Sequence, residues 1–326
     1  MELLELCSLR GTASVSGSVP PGSRVPPWTL GCFRRRSITF FNGDADDSTL
    51  VLWLQSRGLT GDLRLAADRP KPTSREALAD LSRDELSRLL EVEGGVSPTR
   101  FEASGVAGVE LSGVMHWPDW TAFQLHDKWP EPGELRRVGD CLMEYAPSGA
   151  YVEDWRLQPS GDGPLIGLTL LEEHDSKTGK LTHRGGGLLI AGEHALLVRG
   201  RAEALPSATR LSDLLDRAVA EPRLLDVIFG FEASYARRDG TGRYVITAST
   251  SPWREGRPLM AFGGFKLEDG FVLQKAREKE RGVERRFRID TLEENYEDWL
   301  ATPATAQAVE WLAAEEGTLL RAARKR

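Results

Sequence analysis

The chain has 326 residues, 40% hydrophobic and 28% charged, a composition ordinary for a globular protein of up to two domains. A formal net charge of −7 argues against a nucleic-acid binder, and no run approaches the ~18 apolar residues needed to span a bilayer. Cys7, Cys32 and Cys141 are too few and too scattered for a disulfide framework or a metal site, which points to a reducing, cytoplasmic setting.

Residues 1–30 are rich in Ser, Gly and Pro and read as a mobile leader outside the fold. A strand over 33–41 follows, then the stretch Ser48 to Leu65, which reads as a β-hairpin. Pairing Gln55 with Thr60 sets Leu52 opposite Leu63 and Leu50 opposite Leu65. One face is then leucine, while the other carries Trp53, Gln55, Asp62 and Arg64. Thr73 or Ser74 starts a helix that runs to about Val92, or that a capping box at Ser82-Arg83-Asp84-Glu85 splits in two. Short strands are expected over 100–104, 109–117, 121–125 and 134–145.

From residue 148 the pattern repeats, with strands over 151–157 and 165–173, a hairpin over 187–199 and a helix over 210–220. Phe231-Glu232-Ala233-Ser234 repeats the letters of Phe101-Glu102-Ala103-Ser104, and matched features keep an offset of roughly 130–140 residues. The spacing predicts two similar β-rich units, 31–147 and 148–277, each with a short helix. Closure of each into an antiparallel barrel would remove its exposed edges. Residues 278–326 read as a charged helical extension. An apolar stripe including Tyr296, Val309 and Leu312 would pack on a barrel or on a protein partner.

Conventional catalytic motifs are missing. The five histidines show no HxH or HExxH spacing, no GxSxG elbow occurs, and the glycine-rich pieces open strands rather than helices, so neither a metal nor a cofactor is expected. A barrel interior needs only one or two positioned polar groups for acid–base work. The candidates for that are His116, Glu153 and Glu255. Nine tryptophans are the unusual feature of the composition. Those in predicted strands can line a cavity for a flat ligand or simply plug a barrel floor. The candidate ligand-binding residues are Trp53, Gln55, Asp62, Arg64, Trp117, Trp155, Arg156, Trp253 and Arg254, although alternation alone turns the polar face of the first hairpin to water.

Leu50–Leu65, Gly187–Arg199 and especially the run Ser249-Thr250-Ser251-Pro252-Trp253-Arg254-Glu255-Gly256 resemble the HRI protein family, fungal kinase-interacting proteins with bacterial relatives. The resemblance covers roughly residues 33–265 and implies two lipocalin-like (calycin) antiparallel β-barrels in tandem. It implies no activity. Three functions follow for such an object: binding of a small, largely apolar or aromatic molecule, cofactor-independent isomerase, cyclase or hydratase chemistry, or protein–protein interaction by filled barrels.

Overall fold

The first hairpin forms in the register its leucines demand: Leu50 faces Leu65, Leu52 faces Leu63 and Gln55 faces Thr60. It belongs to a computed structural model that describes residues 1–10, 25–126, 130–278, 281–297 and 305–323. The described chain is mainly β and forms two antiparallel sheets. At the heart of the first, Tyr151–Leu157, Gly31–Phe40, Leu50–Gln55, Leu59–Leu65 and Glu93–Pro98 lie side by side in that order. In the second, Arg281–Glu293, Leu165–Asp175, Leu181–Ala191, His194–Arg201 and Glu232–Arg238 do the same. The repeat is therefore real in topology. Each unit ends on the strand that pairs with its own first strand.

That closure corrects the boundaries expected from sequence. Tyr151–Leu157 completes the first sheet instead of opening the second unit, and Glu93–Pro98, not Phe101 to Ser104, occupies the place of Glu232–Arg238. The charged run beyond 278 is a 13-residue strand, Arg281–Glu293, paired on both sides. Its apolar residues fall on alternate positions, Val283, Phe287 and Ile289, all buried. Short helices follow each hairpin. In the first unit the capping box does split the segment, with Ser82 and Glu85 exchanging hydrogen bonds at the start of Arg83–Leu89. In the second, Leu215–Ala220 is followed by an unanticipated helix, Pro222–Ile228.

The two units meet through their equivalent hairpins. Leu52, Leu54, Leu63 and Leu65 pack against Leu189, Leu196, Val198 and Ala233 in one core shared by both sheets. Gly61 lets them approach: a Cβ there would lie 2.5 Å from Leu196 Cδ2 and 3.1 Å from Leu189 Cδ1. At the hairpin turn, Ser56 Oγ donates to Asp290 Oδ2 at 2.7 Å, and Arg57 pairs with Glu293 at 3.0 Å, fastening the first unit to the last strand of the second. The interior of the second sheet is filled by Ile166, Leu168, Leu188, Ile190, Leu197 and Phe287.

The terminal helices also depart from expectation. The leader is in part inside the fold, since Leu3–Arg10 is helical and buries Leu3, Leu6 and Cys7 in the second unit's core. Val25 and Trp28 are likewise buried in the first unit, while residues 11–24 lie outside those described. The C-terminal helix, Ala306–Ala323, covers the outer face of the first sheet. Ala308, Trp311 and Leu312 lie on Val109, Val138, Cys141 and Met143, so this part of the apolar stripe packs on its own sheet, while Val309 is exposed. No helix among the described residues is long and apolar enough to cross a membrane.

Candidate functional site

The non-leucine face of the first hairpin points into a cavity of about 540 Å³ enclosed by the curl of the first sheet. Period-two alternation forces this. With leucines 52, 54, 63 and 65 committed to the inter-sheet core, Trp53, Thr60, Asp62 and Arg64 must take the concave side. Strand Tyr151–Leu157, on the far side of Gly31–Phe40, adds Tyr151, Glu153 and Trp155 by the same rule, and Cys141–Tyr145 adds Glu144. Gly95 leaves room for Trp120, whose ring would be 3.1 Å from any Cβ placed there.

Aromatic rings form one wall. Trp53 meets Trp155 and Trp117 edge-to-face, at centroid distances of 5.6 and 6.2 Å. Their indole N–H groups are all spoken for: Trp53 donates to Gln55 Oε1 at 3.2 Å, Trp117 to Thr60 Oγ1 at 3.0 Å and Trp155 to Glu144 Oε2 at 3.0 Å. Pinned in this way, the rings present rigid apolar faces.

Polar side chains lie directly beside these rings, Asp62 paired across strands with Trp53 and Glu153 two residues from Trp155. Arg64 donates to Asp62 Oδ2 from Nε and Nη2 at 2.9 and 2.8 Å, with Glu153 and Glu93 carboxylates 3.8 and 3.9 Å from the guanidinium. Glu153 also accepts from Arg35 at 2.7 Å. Glu144, directly across from Glu153 on the adjacent strand, is fully within the protein, and burial together with the Glu153 charge pushes its pKa up to about 8. Its neutral form is therefore favoured beyond that of an ordinary glutamate. Asp62 Oδ1 is buried without a hydrogen-bond partner among the described residues.

The residues singled out in the sequence divide into two sets. Trp53, Asp62, Arg64, Trp117, Glu153 and Trp155 come together in the cavity. Gln55 lies behind it, holding Trp53 and Thr60. Arg156 faces the opposite way, paired with Asp154 at 2.9 Å on the outer side, because it is one residue out of phase with Trp155. His116 sits outside the cavity, with Nε2 3.5 Å from the exposed Glu102 carboxylate.

Trp253 and Arg254 border a shallower groove of about 420 Å³ in the second unit. There Arg254 Nε donates to Glu232 at 3.0 Å, and Glu255 binds Arg69 and the Ser249 N–H. The Trp-Arg-Glu run thus braces a corner and ties one unit to the other. Glu144 and Tyr151 were not anticipated, while Trp120 is one of the strand-associated tryptophans able to line a cavity. A single acid inside Cys141-Leu142-Met143-Glu144-Tyr145 was the available signal for the first.

Among the described residues, no group of three or more His, Cys, Asp or Glu is placed to hold a metal ion. No family model matches the chain, and no curated protein matches it. Among solved structures, the chain is similar to an uncharacterized protein from Saccharomyces cerevisiae, with 11% identity and a TM-score of 0.41 over 78% of this chain and 96% of that one.

Proposed function

We propose that the protein binds a small, largely apolar molecule, flat enough to lie on tryptophan, in the cavity of its first sheet. The observation that carries this reading is a cavity of about 540 Å³ walled by indole rings whose N–H groups are already satisfied. Cavities of roughly 300–1,000 Å³ suit ligands of drug size. The filled interior of the second unit makes it the scaffold and the first the receptor. A calycin-type description of the paired sheets and membership of the HRI family belong to the same proposal. Their support is the topological repeat and the Ser249 to Gly256 run. Three buried free thiols support a reducing, cytoplasmic location.

Native mass spectrometry of the protein purified from its own host is the direct test, with added mass released on denaturation as the expected result. Quenching of tryptophan emission by the recovered compound, lost in Trp155→Ala, would place it in the cavity. A protein that carries no small molecule, and whose emission no compound in a broad aromatic panel alters, would end the proposal.

Glu144 favours a second reading, that of a cofactor-independent isomerase, cyclase or hydratase. A carboxylic acid whose neutral form is favoured beside an ionisable partner is suited to proton transfer. Under that reading Glu144→Gln retains ligand but stops its conversion, and unchanged turnover in the variant would rule it out.

A further inference from the structure

The internal repeat supplies a template for the cavity's charge. Strand pairing makes the two units comparable position by position: Glu153 lies opposite Ile38 in the first, and Arg285 lies opposite Glu173 in the second. One strand further out, Glu144 faces Glu153 where Gln274 faces Arg285. Arg64 faces Glu93 just as Arg199 faces Glu232. The same architectural sites thus hold different charges.

In the second unit those sites are densely ion-paired, although Arg199 Nε and Arg285 Nη2 lack hydrogen-bond partners among the described residues. Arg285 donates to Glu173 at 2.7 Å and to Gln274 at 2.8 Å, Arg281 reaches Glu173 at 2.6 Å, and Arg199 and Arg254 hold Glu232 at 2.9 and 3.0 Å. With Glu278 at 2.8 Å from Arg285, four guanidiniums serve three carboxylates. In the first unit, among the described residues, Arg64 and Arg35 pair with Asp62, Glu93 and Glu153, and Arg210 is a further cation on the cavity's lining. Glutamates stand where the second unit has Arg285 and Gln274, and the space beside them is the cavity. Asp62 Oδ1 has no donor there among the described residues. A partly buried cluster of carboxylates that share Arg64 and Arg35, with indole faces beside it, attracts a cation both by Coulomb attraction and by the ring quadrupoles.

We infer that the cavity takes an organic cation: a protonated or quaternary amine on an aromatic or alicyclic body, its positive centre among Asp62, Glu144 and Glu153 and its body against Trp53, Trp120 and Trp155. This rests on the cavity being the ligand site. The high pKa of Glu144 is consistent with the same cluster of carboxylates, because the Glu153 carboxylate helps to raise it.

Three probes with one ring system test the charge alone: 1-naphthylmethylammonium, 1-naphthalenemethanol and 1-naphthoate, titrated calorimetrically into the full chain at pH 7. The ammonium should bind at least about tenfold more tightly than the alcohol, and the carboxylate should not bind. Asp62→Asn should lower the ammonium-to-alcohol ratio several-fold with little change for the alcohol. Trp120→Leu should do so too, by removing a π-face while keeping an apolar contact. Should Asp62→Asn fail to fold, Glu93→Gln at the half-exposed rim reads out the same ratio. Equal binding of alcohol and ammonium, or binding of naphthoate, overturns the cation assignment while leaving the cavity a ligand site. Failure of all three to bind overturns the assignment together with the reading beneath it.

Discussion

Glu144 is the residue on which the chemistry of the cavity turns, and its pH behaviour has a definite sign. Its folded pKa, about 8, lies above the ordinary value of 4.5, so between those values the folded protein keeps a proton that the unfolded chain has released. Stability is therefore untouched by this group at pH 4 and is withdrawn as pH climbs through that window. Glu144→Gln, fixed in the neutral state and still able to accept from Trp155, should match the wild type near pH 4 and exceed it by roughly 2–4 kcal/mol at pH 9. Urea unfolding of both proteins at the two pH values checks this, and a constant difference would contradict it. Glu173 has the reverse character. Despite its burial, the Arg199 and Arg285 charges hold its carboxyl far below the usual range. Two buried glutamates, one in each unit, are thus shifted in opposite directions, one toward its neutral form and one toward its anion.

At the scale of elements, the hairpin-on-hairpin contact depends on close approach. Gly61→Val would drive a branched side chain into Leu196 and Leu189, and overpacking of this kind costs about 1–3 kcal/mol. Leu196→Ala alone also destabilises, by opening a cavity. The double variant should lose clearly less than the sum, since each change relieves the other. Thermal and chemical unfolding of the four proteins measures that coupling, and simple additivity would show that the hairpins are not in contact.

The hairpin itself was readable because Leu50, Leu52, Leu63 and Leu65 leave only one register in which apolar residues share a face. What alternation could not say is what the opposite face meets. A sequence treats Asp62 and Arg64 as solvated unless the curl of the whole sheet is known, and that curl comes from bulges and distant pairings such as Glu153 with Ile38. Arg281–Glu293 was hidden for a related reason. Its buried Arg285 looks like surface charge until Glu173, over a hundred residues earlier, is placed beside it. Glu144 was lost inside an apolar strand, where one acid looks incidental.

For the whole molecule, the shared core and the ties from Ser56 and Arg57 to Asp290 and Glu293 leave little for either sheet to do alone. Unfolding in urea should be one transition, with tryptophan emission and far-UV circular dichroism superimposing. A chain ending at residue 278 lacks the strand between Leu165–Asp175 and Phe271–Glu278 and should be recovered only as aggregate. One ending at residue 304 keeps both sheets and should fold with a lowered melting temperature. Two separate transitions, or a soluble and cooperative 1–278 fragment, would mean that the units are independent.

The helix Leu3–Arg10 lies on the second unit although the strands that follow it in the chain build the first, and the Met1 amino group donates to Phe265 O across 264 residues. At about 5–20 residues per second, a ribosome needs roughly 13–50 s to make the intervening chain. Throughout that time Leu3 and Leu6 have no groove to enter. Early-made apolar surface must wait for a late-made receiving site.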